Sequence, residues 1–140
     1  MKQARDGDAS FVTFLPKISK QQVITALDLA DVCFIGSHKK EIYRFGTSPN
    51  KLGDYFMSAK PVLSALDTSG NDIVREARAG ISVEPYNARE LEDALQRLCS
   101  MTPEDKKSMG MNGRQYALEN FDWEILGRRY VDICSSLIHG

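Results

Sequence analysis

The chain has 140 residues, 42% hydrophobic and 26% charged, which suits one domain with a packed core and excludes a disordered or collagen-like chain. Its formal net charge of -1 excludes a global field that recruits nucleic acid or an acidic membrane, so binding must come from a local site. No apolar run approaches the roughly 20 residues of a membrane span and no signal peptide opens the chain, so a cytoplasmic protein is expected.

Residues 1–9 are polar and are expected to fray or to be the remains of a helix. Phe11-Val-Thr-Phe-Leu15 is β-branched and aromatic and ends at Pro16, which predicts a strand. Ser19 caps a helix on which Val23, Ile24, Ala26, Leu27 and Ala30 recur at helical spacing. Asp31-Val-Cys-Phe-Ile-Gly36 is a continuous apolar run, the pattern of a strand buried on both faces. After a polar loop come a helix opening at Ser48-Pro49, a strand over 61–66, a turn over 67–71, and a helix over 71–79 that stops at Gly80. Ile81-Ser-Val83 is one more short strand. Strands alternating with helices predict an α/β fold: a Rossmann-like, doubly wound parallel sheet with right-handed crossovers and helices on both faces.

The last third is helical. Asn87 caps a helix, with Glu90 three residues on, and its apolar stripe is Leu91, Ala94, Leu95 and Leu98. Thr102-Pro103-Glu104-Asp105 supplies a cap, a proline at the first helical position and acids in the first turn of a helix reaching about Asn120. A final helix, near Asp122 to Ile138, carries Trp123, Ile125, Leu126, Tyr130, Ile133 and Leu137, expected in the core or at a dimer surface. Cys33, Cys99 and Cys134 fit no zinc or CxxC spacing and are expected reduced and buried. His38 and His139 stand apart and have no metal-spaced partner.

The helix opening with Ser48-Pro49-Asn50-Lys51 carries the chemistry. With Ser48 as cap, Lys51 occupies the third helical position, where a capping box wants Glu or Gln. A cation there opposes the helix dipole by about 0.3–1 kcal/mol. The mismatch vanishes if an anion lies at the helix end, held by backbone N–H groups and the ammonium together. At about 100° per residue, Leu52, Tyr55, Phe56 and Ala59 share the side facing the sheet, and Asn50, Lys51, Gly53, Asp54 and Ser58 share the other. Gly53 costs the helix about 0.5–1 kcal/mol relative to Ala, understandable if something approaches closely. Asp54 can accept hydrogen bonds from sugar hydroxyls while Lys51 meets a phosphate. The plain alternative is a solvent-exposed Lys51–Asp54 pair worth a few tenths of a kcal/mol.

The stretch YRFGTSPNKLGDYFMSAKPVLS resembles the nucleotide-sugar-binding C-terminal domain of GT-B-fold glycosyltransferases (group 1, family-four-like) of the bacterial capsule and lipopolysaccharide O-antigen type. ASFVTFLPKISKQQVITALDLADVCFIG resembles the strand–helix–strand lead-in of that domain. NDIVREARAGISVEPYNARELEDALQRL resembles its next helix, strand and helix, and MGMNGRQYALENFDWEILGRRYVDI its closing helices with a Phe-x-Trp signature. The resemblance implies transfer of a sugar from a UDP- or GDP-type donor to a polysaccharide or lipid-linked acceptor, with retention of configuration and no metal or other cofactor. It implies work in the cytoplasm or at the inner face of the membrane. It places Asp54 at the acidic residue that contacts the ribose, and Gly46, Thr47, Ser48, Pro49, Asn50 and Lys51 against the donor sugar and diphosphate.

This sequence departs from the family pattern in three places. The first acidic position falls at Gly46, which leaves Glu41 as a weak, out-of-register candidate. The glycine usual before Lys60-Pro61 is Ala59, a difference expected to concern packing. The acceptor-binding N-terminal domain and the first strand and helix of the C-terminal domain have no counterpart in these 140 residues. The expected unit is therefore one partial domain, inactive by itself, with a rearranged sheet, a borrowed strand or marginal stability. Its partners would be a nucleotide sugar and either the N-terminal domain or a second copy in a homodimer, with no nucleic acid. The alternatives are a non-catalytic nucleotide-binding fragment and a nucleotide-sugar epimerase of the same fold. The epimerase reading needs a set of cleft carboxylates with a histidine, which cannot be placed here.

Overall fold

A computed structural model describes residues 12–38, 41, 50–68 and 70–139. Along the chain the elements are α1 (Lys20–Asp28), β1 (Cys33–Gly36), α2 (Asn50–Met57), β2 (Val62–Ala65), α3 (Ile73–Glu76), β3 (Gly80–Ser82), α4 (Ala88–Ser100), α5 (Pro103–Asn120) and α6 (Trp123–His139). The three strands form one parallel sheet in the order β1-β2-β3. Cys33 pairs with Val62 and Val62 with Gly80. Parallel neighbours need a crossover connection, and α2 and α3 supply it. The α/β architecture read from the alternating pattern is the observed one.

Local signals start the helices where the sequence places them. Ser19 caps α1 in a full capping box: its Oγ accepts the Gln22 amide at 3.3 Å and its own amide donates to Gln22 Oε1 at 2.8 Å. Asn87 Oδ1 accepts the Glu90 amide at 3.1 Å at the start of α4. The Glu90 carboxylate, however, reaches the Glu84 amide at 3.0 Å and the Asn87 amide group at 2.7 Å, so it ties down the preceding loop as well as the cap. Thr102 caps α5 through the Asp105 amide at 3.1 Å, with Pro103 first in the helix.

Alternation along β2 divides the core between the two faces of the sheet. Val62 joins Cys33, Ile35, Leu52, Phe56, Val74, Ala77, Ala79 and Ala117 beneath α2, α3 and α5. Leu63 joins Ala94 and Leu98 of α4 on the opposite face. Of the stripe predicted on α4, Ala94 and Leu98 are buried, Leu91 is half-buried and Leu95 is exposed.

Several expectations are corrected by what lies next to each segment. Residues 12–15 form no strand, and Phe14 is 76% exposed; Phe11 lies outside the described residues. Strand propensity is realised only against a paired neighbour, and no described strand flanks this segment. β1 is buried on one face only: Cys33 and Ile35 point into the core, while Phe34 is 53% exposed because α4 covers Leu63 and leaves the outer strand bare. The helix expected over 71–79 is the single turn α3. Arg78, at φ 51°, turns the chain out of it, and Gly80 is not its stop but the first residue of β3. Cys33 is buried as expected, but Cys99 is exposed on α4 and Cys134 is half-buried. Burial pushes the Cys33 thiol above its ordinary value, with a hydrogen bond from Ser58 and the Lys60 charge opposing.

Ala59 shows why the family pattern has glycine there. It sits at φ 55°, in the left-handed region. The difference is therefore one of backbone and not of packing: a Cβ in that conformation costs about 1–2 kcal/mol. Part of this is offset by the greater freedom that glycine brings to the unfolded chain. Ala59→Gly is expected to stabilise the protein by about 0.5–1 kcal/mol, read as a higher midpoint in urea unfolding. An unchanged or lower midpoint would show that the turn carries no strain.

Candidate functional site

The position of α2 follows from topology. β1 and β2 run in the same direction, so the chain must travel back along α2. The N-terminus of α2 therefore lies at the C-terminal edge of the sheet, where open parallel sheets place their ligand sites. Leu52 and Phe56 are buried against the sheet and Tyr55 is half-buried, as the helical count predicts. Asn50, Lys51 and Asp54 are exposed on the outer side. Ser58, expected with them, instead lies past the helix end and donates to the Tyr55 carbonyl at 2.7 Å. Gly46, Thr47, Ser48 and Pro49 lie outside the described residues; Glu41 is described and exposed.

Lys51 and Asp54 do not pair with each other. Among the described residues the ion pair within 4.0 Å joins Arg75 and Asp72, and neither the Lys51 nor the Asp54 side chain has a hydrogen-bond partner there. The plain alternative of an internal Lys51–Asp54 pair is thus not realised. Burial raises the Tyr55 phenol above its ordinary value, and the neighbouring Cys33 and Asp54 charges add to that.

Gly53 lines a cavity of about 390 Å³ between α2 and the corner where α5 meets α6. Asn50 and Asp54 form the same wall, and Phe121, Asp122 and Trp123 face them. A Cβ on Gly53 would meet Phe121 Cδ2 at 3.9 Å, an ordinary contact, so the protein's own packing does not require glycine here. No local pattern marks that α6 starts beside α2, because the two lie some seventy residues apart.

Two more groups stand at the C-terminal edge. A cavity of about 460 Å³ is lined by Thr68, Gly70, Asp72, Ser82 and Glu84. Its central carboxylate is already used: Asp72 Oδ1 accepts from the Arg75 amide at 3.1 Å and from Ser82 Oγ at 2.9 Å, which ties the loop after β2 to β3. His38, expected to stand alone, shares a hydrogen bond between its Nδ1 and the Tyr86 hydroxyl, with Tyr86 held at φ 65°. Among the described residues no group of three or more His, Cys, Asp or Glu is placed to hold a metal ion. No described helix is long and apolar enough to cross a membrane.

A three-stranded parallel sheet flanked by helices is an α/β arrangement, and here it matches part of a GT-B glycosyltransferase. The solved structure of sucrose-phosphate synthase from Thermosynechococcus elongatus superposes on 90% of this chain with a TM-score of 0.70 and 21% identity. The match spans 30% of the length of that protein. The family model described as Glycosyl transferases group 1 matches residues 1–101, and the chain belongs to that family. No curated protein sequence matches the chain.

Proposed function

We propose that this chain is the donor-binding part of a glycosyltransferase that takes a sugar from a UDP- or GDP-type nucleotide sugar. The observation that carries this reading is the outer side of α2. Lys51 and Asp54 stand exposed and unpaired within one turn of each other, at the helix end where backbone N–H groups have no partner inside the helix. In this reading the helix N-terminus and the Lys51 ammonium hold the diphosphate, together with Gly46, Thr47, Ser48, Pro49 and Asn50. Asp54 accepts the ribose hydroxyls. As the sugar departs, negative charge grows on the diphosphate. A fixed dipole and a cation already aimed at it stabilise that charge without reorganisation, and no metal is required for this part of the work.

The acceptor, a polysaccharide or lipid-linked sugar of the bacterial cell envelope, is bound in this reading by an N-terminal domain. That domain, or a second copy of this chain, packs on α6, where none of residues 123–138 is buried and Tyr130 and Leu137 are among the exposed apolar side chains.

Titration of the chain with UDP and GDP tests the reading. Saturable binding is expected, with Lys51→Ala and Asp54→Ala each weakening it about tenfold, or about 1.4 kcal/mol. Binding that survives both substitutions unchanged, or no binding by the folded chain, would overturn it.

A further inference from the structure

We infer that the lysine-lined cavity at the N-terminal edge of the sheet is a second anion site, which takes a phosphate or pyrophosphate group. It lies at the opposite end of α2 from Lys51 and stands independently of the donor-binding reading.

Three separate segments meet there. The turn before β1 supplies Ala30 and Asp31, the turn before β2 supplies Ala59, Lys60 and Pro61, and the start of α5 supplies Pro103, Lys106 and Lys107. They enclose about 280 Å³. That is below the range of about 300–1,000 Å³ typical of drug-sized ligands and suits a small anion. The backbone is tightly fixed at this point. Ala59 is held at φ 55°, and α5 presses so close that a Cβ on Gly110 would lie 1.9 Å from the Ala59 carbonyl oxygen. Lys106 precedes Gly110 by one helical turn on the same side of α5, so this contact carries Lys106 over the turn that bears Lys60.

The charges on the wall are unbalanced. Lys60 and Lys106 are half-buried and Lys107 is exposed, against the single exposed carboxylate of Asp31. Glu104 and Asp105 do not line the cavity, and Asp105 Oδ2 accepts the Thr102 hydroxyl at 2.8 Å. Among the described residues no carboxylate lies within 4.0 Å of any of the three ammonium groups. Lys60 Nζ donates to the Asp28 carbonyl at 2.8 Å, which fixes its position and leaves two of its three N–H groups. The Lys106 and Lys107 side chains have no hydrogen-bond partner among the described residues. Cations gathered in this way repel one another, the more so where two are partly out of water. A phosphate group among them removes that repulsion and accepts several N–H bonds at once, with each lysine acting as a point charge. No aromatic side chain lines the cavity to receive a nucleotide base. The chemistry is therefore that of a bare phosphate, whether free or carried on a lipid headgroup.

The test titrates the full chain carrying Lys51→Ala with inorganic pyrophosphate, by calorimetry at low, fixed ionic strength. That background removes the ammonium at the other end of α2. Saturable binding is expected to persist in it and to raise the urea midpoint. Adding Lys106→Ala or Lys107→Ala should weaken binding about tenfold each, and Lys106→Arg should retain most of it. Lys20→Ala, which removes an exposed lysine elsewhere, should leave it unchanged. Because each alanine variant relieves repulsion, its urea midpoint without pyrophosphate should equal or exceed that of the parent. Flotation with phosphatidylglycerol vesicles, against phosphatidylcholine alone, separates the two sources. Pyrophosphate saturation assigns the free anion, and lysine-dependent vesicle binding without it assigns the lipid headgroup. Binding of neither probe overturns the site, as does binding that Lys106→Ala and Lys107→Ala leave intact or that Lys20→Ala weakens equally.

Discussion

Gly80→Ala is expected to destabilise the protein by about 3 kcal/mol or more, seen as a large fall in the urea midpoint or as loss of the folded state. An alanine Cβ at this position would lie 1.7 Å from the Val62 carbonyl oxygen and 2.6 Å from its carbon. Both atoms belong to the backbone of the neighbouring strand, so no side chain can swing aside. Relief requires β3 to move from β2, which breaks the pairing of Val62 with Gly80 and the hydrogen bond from the Val62 amide to the Ala79 carbonyl at 2.9 Å. A folded domain has only about 5–15 kcal/mol in hand, so the loss removes a large share of it. An unchanged midpoint would mean that the two strands are not in this register. Gly80 also precedes Ser82, which holds Asp72 and the loop after β2, so the damage extends to the C-terminal edge of the sheet.

Phe56→Ala is expected to cost about 3–5 kcal/mol. Phe56 is wholly buried, and its ring lies parallel to Phe121 and edge-on to Tyr116, with both centroids 6.1 Å away. The glycine at 113 of α5 reaches so close that a Cβ there would be 3.1 Å from Phe56 Cδ1. Truncation therefore leaves a cavity between helices held at a fixed spacing, and the surroundings cannot collapse to fill it. The same ring stack sets where Phe121, and hence the α5–α6 corner, sits against α2. On the donor-binding proposal, nucleotide affinity should fall along with stability. Chemical unfolding measures the first effect and the UDP titration the second. Phe14→Ala serves as control: its ring is exposed, and a change within about 0.5 kcal/mol is expected. Equal effects at the two phenylalanines would mean that the Phe56 cluster is not the core.

Much of the fold is legible in the residue order. Ser19, Asn87 and Thr102 start helices because a cap acts on amides two or three residues away. Leu52 and Phe56 face the core because one helical turn is a local length. On the same basis Lys51 is out of place as a cap residue and Asp54 shares its side, so the candidate site is legible as a chemical anomaly that needs no tertiary contact to see. Gly80 opens β3 and does not stop α3, although a glycine after a short helix carries the same local signal whether it ends the helix or admits a neighbouring strand.

The sequence by itself determined where the helices begin, which of their sides are apolar, that the strands run parallel, and that α2 opens with an unmatched cation. Only the tertiary structure decided that residues 12–15 pair with no described strand, that Gly80 lies against Val62, that Ala59 is held at φ 55°, and that Trp123 stands across a cavity from Asp54. The physical reason is range. Caps and periodicity act within about one turn of helix, whereas burial, close backbone approach and the walls of a cavity depend on partners that the chain brings together only when it folds.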